Sequence, residues 1–246
     1  MIATSASWRN CVQLLLLAIE TSGSEVSFAL GNEGGILRET THGSSGDLSR
    51  YVITWIDELF AACRRRPQEL TAIGVSIGPG SWTGLRIGVA TAKSLAYGLG
   101  IPLIGVSTFE ALAHAIADES EGGYVVPLAC ARRDEVFAQI FRVVGGTALT
   151  EEEPHAYPLR LLGERLRELG APVTLCGEGF RRHREALLSA LPHLSDSSPR
   201  ICRAAMIIHR LQSRLDRELP LSPLEVKPLY VVPSQAECQR GIIVTQ

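Results

Sequence analysis

From Leu14 to Ile19 the chain is continuously apolar, then breaks into Glu20-Thr21-Ser22-Gly23, the pattern of a buried strand ending in a polar turn. Glu25 to Leu30 alternates, Gly31 to Gly35 supplies a turn, and Ile36 to Thr41 resumes the extended pattern, so three strands joined by hairpins are expected. The period then lengthens to that of a helix. Leu48, Tyr51, Val52, Trp55, Ile56, Leu59 and Phe60 share one face, Asp47 is placed to cap it, and Arg64 to Arg66 form its basic end before Pro67. Ile73 to Ile77 reads as a short strand and Gly78-Pro79-Gly80 as a turn. From Thr83 the chain is helix-compatible for four turns. Pro102 to Val106 is a further strand, and Ser107-Thr108-Phe109-Glu110 is a capping box opening a helix through about Ala117.

Three hairpin-linked strands followed by helix, strand, helix, strand, helix make a mixed sheet with helices on both faces, the ribonuclease-H-like topology. Beyond Gly122-Gly123 the pattern starts again. Tyr124 to Cys130 and Glu135 to Val144 are strands around an Arg132-Arg133-Asp134 turn, Leu159 to Leu169 is a helix, and Val173 to Cys176 is a strand. Gly177-Glu178-Gly179 opens a helix from Phe180 to Ala190, Pro192 to Arg200 reads as a loop, Ile201 to Leu219 as a helix, and Pro228 to Val232 as a short extended tail. The expected fold is α/β: two ribonuclease-H-like lobes, the second reduced and short of a full set of strands. The expected boundaries are an extension over 1–13, a first lobe over 14–120 and a second over 121–246.

A net charge of -2 and a pI near 6.3 leave no global basic field, so strong autonomous binding to nucleic acid is not expected. The six cysteines, at 11, 63, 130, 176, 202 and 238, contain no pair at metal-ligand spacing and fit a reducing compartment, so a cytoplasmic location is expected. Leu14 to Ile19 is too short an apolar run for a signal peptide, and no span has the length a membrane helix needs.

The most informative passage is GVSIGPGSWTGLRIGVATAKSLA, from Gly74 to Ala96. In its helix Gly84, Gly88, Ala92 and Ala96 recur every four residues and form a stripe without bulk, where another backbone can approach closely. Two readings stand: packing inside this chain, or a docking face for a second protein. A phosphate cradle is disfavoured, because Lys93 lies too far along the helix for a Walker loop and Thr83 stands where a dinucleotide fingerprint needs its third glycine. Neither His-Glu-x-x-His nor Gly-x-Ser-x-Gly occurs, and Ser81, Cys130 and Asp134 lack an identifiable base as nucleophiles. The histidines at 42, 114, 155, 183, 193 and 209 form no ligand spacing.

LLAIETS, GVSIGPGSWTGLRIGVATAKSLA, IPLIGVSTFEALA, ARRDEVFAQIF and KPLYV resemble the corresponding segments of the TsaB (YeaZ) family. The resemblance runs from about Leu14 to Val232 and is weak between Ala148 and Leu224. It implies a tandem-lobed member of the actin, Hsp70 and sugar-kinase superfamily. It also implies a noncatalytic subunit that stabilises the catalytic paralogue TsaD, which transfers a threonylcarbamoyl group to the adenosine beside the anticodon of tRNAs reading A-starting codons. Docking would use the first lobe's two helices, with Trp55, Leu59, Gly80, Ser81, Thr83, Gly84, Arg86, Gly88, Ala92 and Ala96 as partner-binding residues. A TsaE-type ATPase is a further partner, tRNA is reached only through the complex, and a homodimer is plausible for the chain alone. No cofactor, metal or catalytic residue is expected. The positions of the paralogue's two metal-binding histidines hold Thr108 and Leu112 here, and leucine cannot coordinate a metal. Glu20 and the Gly177 to Gly179 turn are candidate relics of the superfamily's magnesium acid and nucleotide turn. Cys130 replaces the family's usual aspartate, and His42-Gly43-Ser44 matches its His-Ser segment only loosely. A small-molecule kinase or ATPase is the alternative reading, and a hydrolase the second.

Overall fold

The computed structural model describes residues 14–43, 46–131, 134–191, 194, 196–197, 200–215 and 222–232. The expected extension over 1–13, Ser44, Arg132, Arg133 and His193 lie outside them. β1 (Leu16–Glu20) is buried at every residue, as a strand covered on both faces must be. It pairs antiparallel with β2 (Glu25–Asn32), which pairs antiparallel with β3 (Gly35–Gly43). On its other side it pairs parallel with β4 (Ala72–Gly78). With β5 (Leu103–Ser107) the sheet runs β3-β2-β1-β4-β5, the ribonuclease-H-like order.

Alternation along β1 divides its side chains between two cores. Leu15, Leu17 and Ile19 join a core with α1 (Leu48–Cys63) and α2 (Trp82–Leu99). α1 ends at Arg64, whose left-handed backbone turns its amide and that of Arg65 back onto the carbonyls of Ala61 and Phe60. At the other end the expected Asp47 side-chain cap does not form. With φ -95° and ψ 0° the residue lacks the extended geometry that aims a side chain at the helix amides, and its carbonyl takes the Arg50 and Tyr51 amides instead. At α3 (Thr108–Ala117) half of the capping box is present: the Glu110 amide donates to Ser107 Oγ at 3.3 Å, while the Glu110 carboxylate is occupied elsewhere.

The second half corrects two expectations. Among the described residues five strands are present, β6 (Tyr124–Cys130), β7 (Glu135–Val144), β8 (Thr147–Pro158), β9 (Val173–Cys176) and β10 (Asp196–Ser197), in the order β10-β9-β6-β7-β8. Read from the β8 end, this is the arrangement of the first sheet, with its last strand cut to two residues. α4 (Leu159–Glu168) and α5 (Gly177–Ala190) complete the unit, and Leu162, Leu166, Phe180 and Leu187 pack with β6, β7 and β9.

The second correction concerns where the chain goes next. α6 (Ala204–Leu215) belongs to the first unit rather than to a second lobe running over 121–246. Its Ile207, Ile208 and Leu211 join Leu16, Ala18, Ala29 and Ala72 on the sheet face that α1 and α2 leave uncovered. Small residues make room there: a Cβ on Gly31 would stand 2.8 Å from Ile208, and one on Gly74 3.0 Å from Ile207. Ser27 Oγ and the Glu39 carboxylate accept the Ala204 and Ala205 amides, each at 2.8 Å, so strands β2 and β3 cap this helix. Arg210 and Arg214 close on Glu110, and Arg214 also donates to the Gly105 carbonyl at 2.9 Å. The described residues form two compact units: those to Ile77 with those of Ser81–Ala111 and Cys202–Pro228, and Gly78–Gly80 with those of Leu112–Ile201 and those from Leu229.

Candidate functional site

The start of α2 is fastened from within. The Ser81 amide donates to the Ser22 carbonyl at 2.7 Å, and Ser81 Oγ accepts the Gly84 amide at 3.2 Å. Two of the amides that a phosphate would need are therefore committed to the chain itself.

The small stripe is filled by this chain. A Cβ on Gly84 would stand 2.1 Å from the Thr21 carbonyl oxygen, and one on Gly88 the same distance from Thr21 Oγ1. Thr21 is wholly buried, and Ala92 and Ala96 lie in the first core. Glycine here lets the β1–β2 turn sink into the helix surface. Of the two readings of the stripe, packing inside the chain holds, and Gly84, Gly88, Ala92 and Ala96 present nothing to a partner. Leu59 is likewise core, at 0% exposure. An apolar stripe fixes only that a face is buried, and here the sheet buries it.

The outer side of the same helix layer is different. Ser81, Thr83 and Arg86 are exposed, with the Arg86 guanidinium 4.3 Å above the Trp82 ring. Gly80 and Trp55 are half-buried. Trp55 stacks on His42 at 4.2 Å and sits beside Tyr51 and Phe28, tying β3 to α1. Two large apolar side chains that sequence reasoning passed over stand out on this side, Ile53 at 50% exposure on α1 and Tyr97 at 72% on α2. Ile53 carried a signal: it is an isoleucine at the edge of the stripe, where its neighbours one turn away include Ser49, Arg50 and Asp57.

The candidate nucleotide relics are closed. In the second unit, Gly177 takes φ +89° and donates its amide to the Arg200 carbonyl at 2.8 Å. A Cβ on Gly179 would stand 2.9 Å from Leu128 Cβ and 3.0 Å from the Ala129 backbone, so the turn packs directly on β6. Glu20 is 1% exposed, reaches no solvent, and accepts the Ser22 amide at 2.6 Å. These residues do not fit a magnesium nucleotide, which requires an ionised, reachable carboxylate and an open glycine turn. Thr108 is buried with its hydroxyl unpartnered, and Leu112 is 1% exposed. Among the described residues no three histidine, cysteine or acidic side chains come together as a metal set. Cys130 is half-buried, and burial pushes its thiol up in pKa against the pull of Arg182. Among the described residues no helix is long and apolar enough to cross a membrane.

The family model described as TsaD, tRNA N6-adenosine threonylcarbamoyltransferase, matches residues 32–168. The chain is 31% identical over 178 residues to the Bacillus subtilis tRNA threonylcarbamoyladenosine biosynthesis protein TsaB, covering 72% of this chain and 77% of the relative. The Escherichia coli TsaB is 28% identical over 167 residues, covering 68% and 72%. A Legionella pneumophila tRNA N6-adenosine threonylcarbamoyltransferase is 31% identical over 124 residues, but these span only 44% of this chain and 37% of the transferase. Among solved structures, YeaZ from Pseudomonas aeruginosa superposes with a TM-score of 0.73 at 21% identity, covering 88% of this chain and 99% of that one. A second Pseudomonas aeruginosa structure, described as similar to peptidase YeaZ, gives 0.76 at 20% identity over 89% and 100%.

Proposed function

Because this chain belongs to the TsaB family, we propose that it serves tRNA threonylcarbamoyladenosine biosynthesis as a noncatalytic subunit that grips a TsaD-type transferase. The observation that carries this reading is the pair Thr108 and Leu112. The chain matches the transferase model across 32–168, yet a hydroxyl and a buried leucine stand where the resemblance puts the metal-binding histidines. It has the scaffold of the transferase without the ligands for its chemistry.

The gripping surface is the outer side of α1 and α2, with Ile53 and Tyr97 as its large anchors and Thr83, Arg86 and Trp82 at the start of α2. Exposed aromatic and arginine side chains of this kind are the groups that carry most of the energy in protein interfaces. The same side pairs with a second copy when the transferase is absent, and a TsaE-type ATPase and tRNA meet this chain only inside the assembled complex. The work is done in the cytoplasm.

Gel filtration and titration calorimetry with a TsaD-type transferase test the proposal. The wild type is expected to form a stoichiometric complex. Ile53→Glu and Tyr97→Asp each weaken it about five- to thirtyfold, since a lost anchor costs roughly 1–2 kcal/mol. Both variants keep the wild-type circular dichroism spectrum. Undiminished binding by the two together would move the interface elsewhere, and no complex with the wild type would end the proposal.

A further inference from the structure

Glu20 ends β1 on the same side as Leu16 and Ala18, toward α6, and nothing in the proposed function uses it. Its Oε1 accepts the Ser22 amide at 2.6 Å, and its Oε2 is buried without a hydrogen-bond partner. The groups facing it are neutral: Ser22 in its own turn, Ser76 from β4, and the Cys202 thiol just ahead of α6. Ser27, its register partner on β2, is taken by the Ala204 amide. The Cys202 thiol in turn feels the Glu39 carboxylate of β3, and Arg203, at the same end of α6, is engaged by Thr41 and Glu25. Among the described residues no cation faces this place, so a carboxylate here would hold a buried charge with nothing to offset it.

Glu20 also sits where three elements meet. The turn it opens is held to α2 twice, by the Ser22 carbonyl on the Ser81 amide and by Thr21 in the groove of Gly84 and Gly88. Its other side faces the residues that lead into α6. We infer that Glu20 is an uncharged latch: as the neutral acid it closes the joint between the β1–β2 turn, the start of α2 and the start of α6, and ionising it loosens that joint. The position that the superfamily resemblance assigns to a magnesium acid has thus become a structural acid, with Oε1 accepting and Oε2 left to carry the proton.

The pH dependence follows with a definite sign. Burial raises the Glu20 pKa above its ordinary 4.5, against the weaker opposing pull of the Ser22, Cys202 and Ser76 dipoles. The folded chain therefore holds this proton where the unfolded chain has released it. Stability from Glu20 is complete below the ordinary carboxylate range and is lost as pH rises through the folded-state value.

Urea unfolding of wild type and Glu20→Gln between about pH 5 and about pH 8 reads this directly. Glutamine mimics the neutral acid, so the wild-type midpoint is expected to fall relative to the variant as pH rises. Parallel profiles would overturn the inference. Should the variant not fold, the carbon-13 titration of the wild-type Glu20 carboxyl decides: a midpoint above 4.5 supports the latch, and one at or below it overturns the latch. Magnesium chloride is expected to leave the wild-type midpoint unchanged, and a magnesium-induced rise that Glu20→Gln abolishes would restore the metal-binding reading.

Discussion

Gly84→Ala decides between the two readings of the small stripe. On an open docking face the added methyl would leave the isolated chain unharmed and would favour the helix by up to about 1 kcal/mol. In this fold it lands 2.1 Å from the Thr21 carbonyl oxygen, more than 1 Å short of the ~3.5 Å at which non-bonded heavy atoms rest. The obstacle is backbone, so no rotamer relieves it, and the turn is held by Ser22 on Ser81 and by the buried Thr21 side chain. Overpacking of this kind costs about 1–3 kcal/mol, and so short an approach belongs at the upper end. After the helix gain is subtracted, a net loss of about 2 kcal/mol remains, equivalent to a fall of roughly 4–8 °C in the melting midpoint. Gly98→Ala is the matched control: same helix, same substitution, nothing within 4 Å of the new Cβ. It is expected to hold or raise the midpoint, by up to about 4 °C. Differential scanning calorimetry of the isolated wild type and the two variants measures both. If Gly84→Ala melts with the wild type or above it, the packing argument is wrong and the stripe is open after all.

Two further outcomes follow from the first unit. Glu110 lies between Arg210 and Arg214; burial alone would raise its pKa, but Arg214 and Arg210 together outweigh that and hold it below the usual carboxylate range. Its stabilising contribution is therefore present at neutral pH and is lost as pH falls through the folded-state value, opposite in sign to Glu20. Glu110→Gln is expected to cost about 2–3 kcal/mol at neutral pH, between the surface and buried limits for an ion pair, and to flatten the acid limb of the urea stability profile. Ile208→Ala removes a fully buried side chain that fits over Gly31. It should cost about 2–4 kcal/mol and speed amide exchange along α6 before α1, and uniform exchange across both helices would contradict the separate seating of α6.

Most of the element order was legible because apolar period reports local geometry directly. Tyr124 to Cys130, Glu135 to Val144 and Val173 to Cys176 are strands over the residues their pattern marks out. β8 was missed because an edge strand need not be apolar: Thr150, Glu151, Glu153 and His155 are exposed, and its ladder with β7 is made by backbone groups. Asp47 had the right composition for a cap and the wrong backbone angles, which composition does not encode. Ile53 and Tyr97 were not legible because periodicity picks out apolar residues in register with one another, whereas these two are exposed and out of register with the core.

By itself the sequence determined which faces had to leave water, where the chain had to turn, and which chemistry Leu112 forbids. Only the tertiary structure decided what each buried face meets: α6 covers the first sheet although it follows the second, and the glycines of α2 receive a turn lying some sixty residues earlier. The physical reason is that burial rewards area removed from water without regard to its partner. Periodicity therefore fixes that a stripe is covered, while shape and connectivity choose its cover.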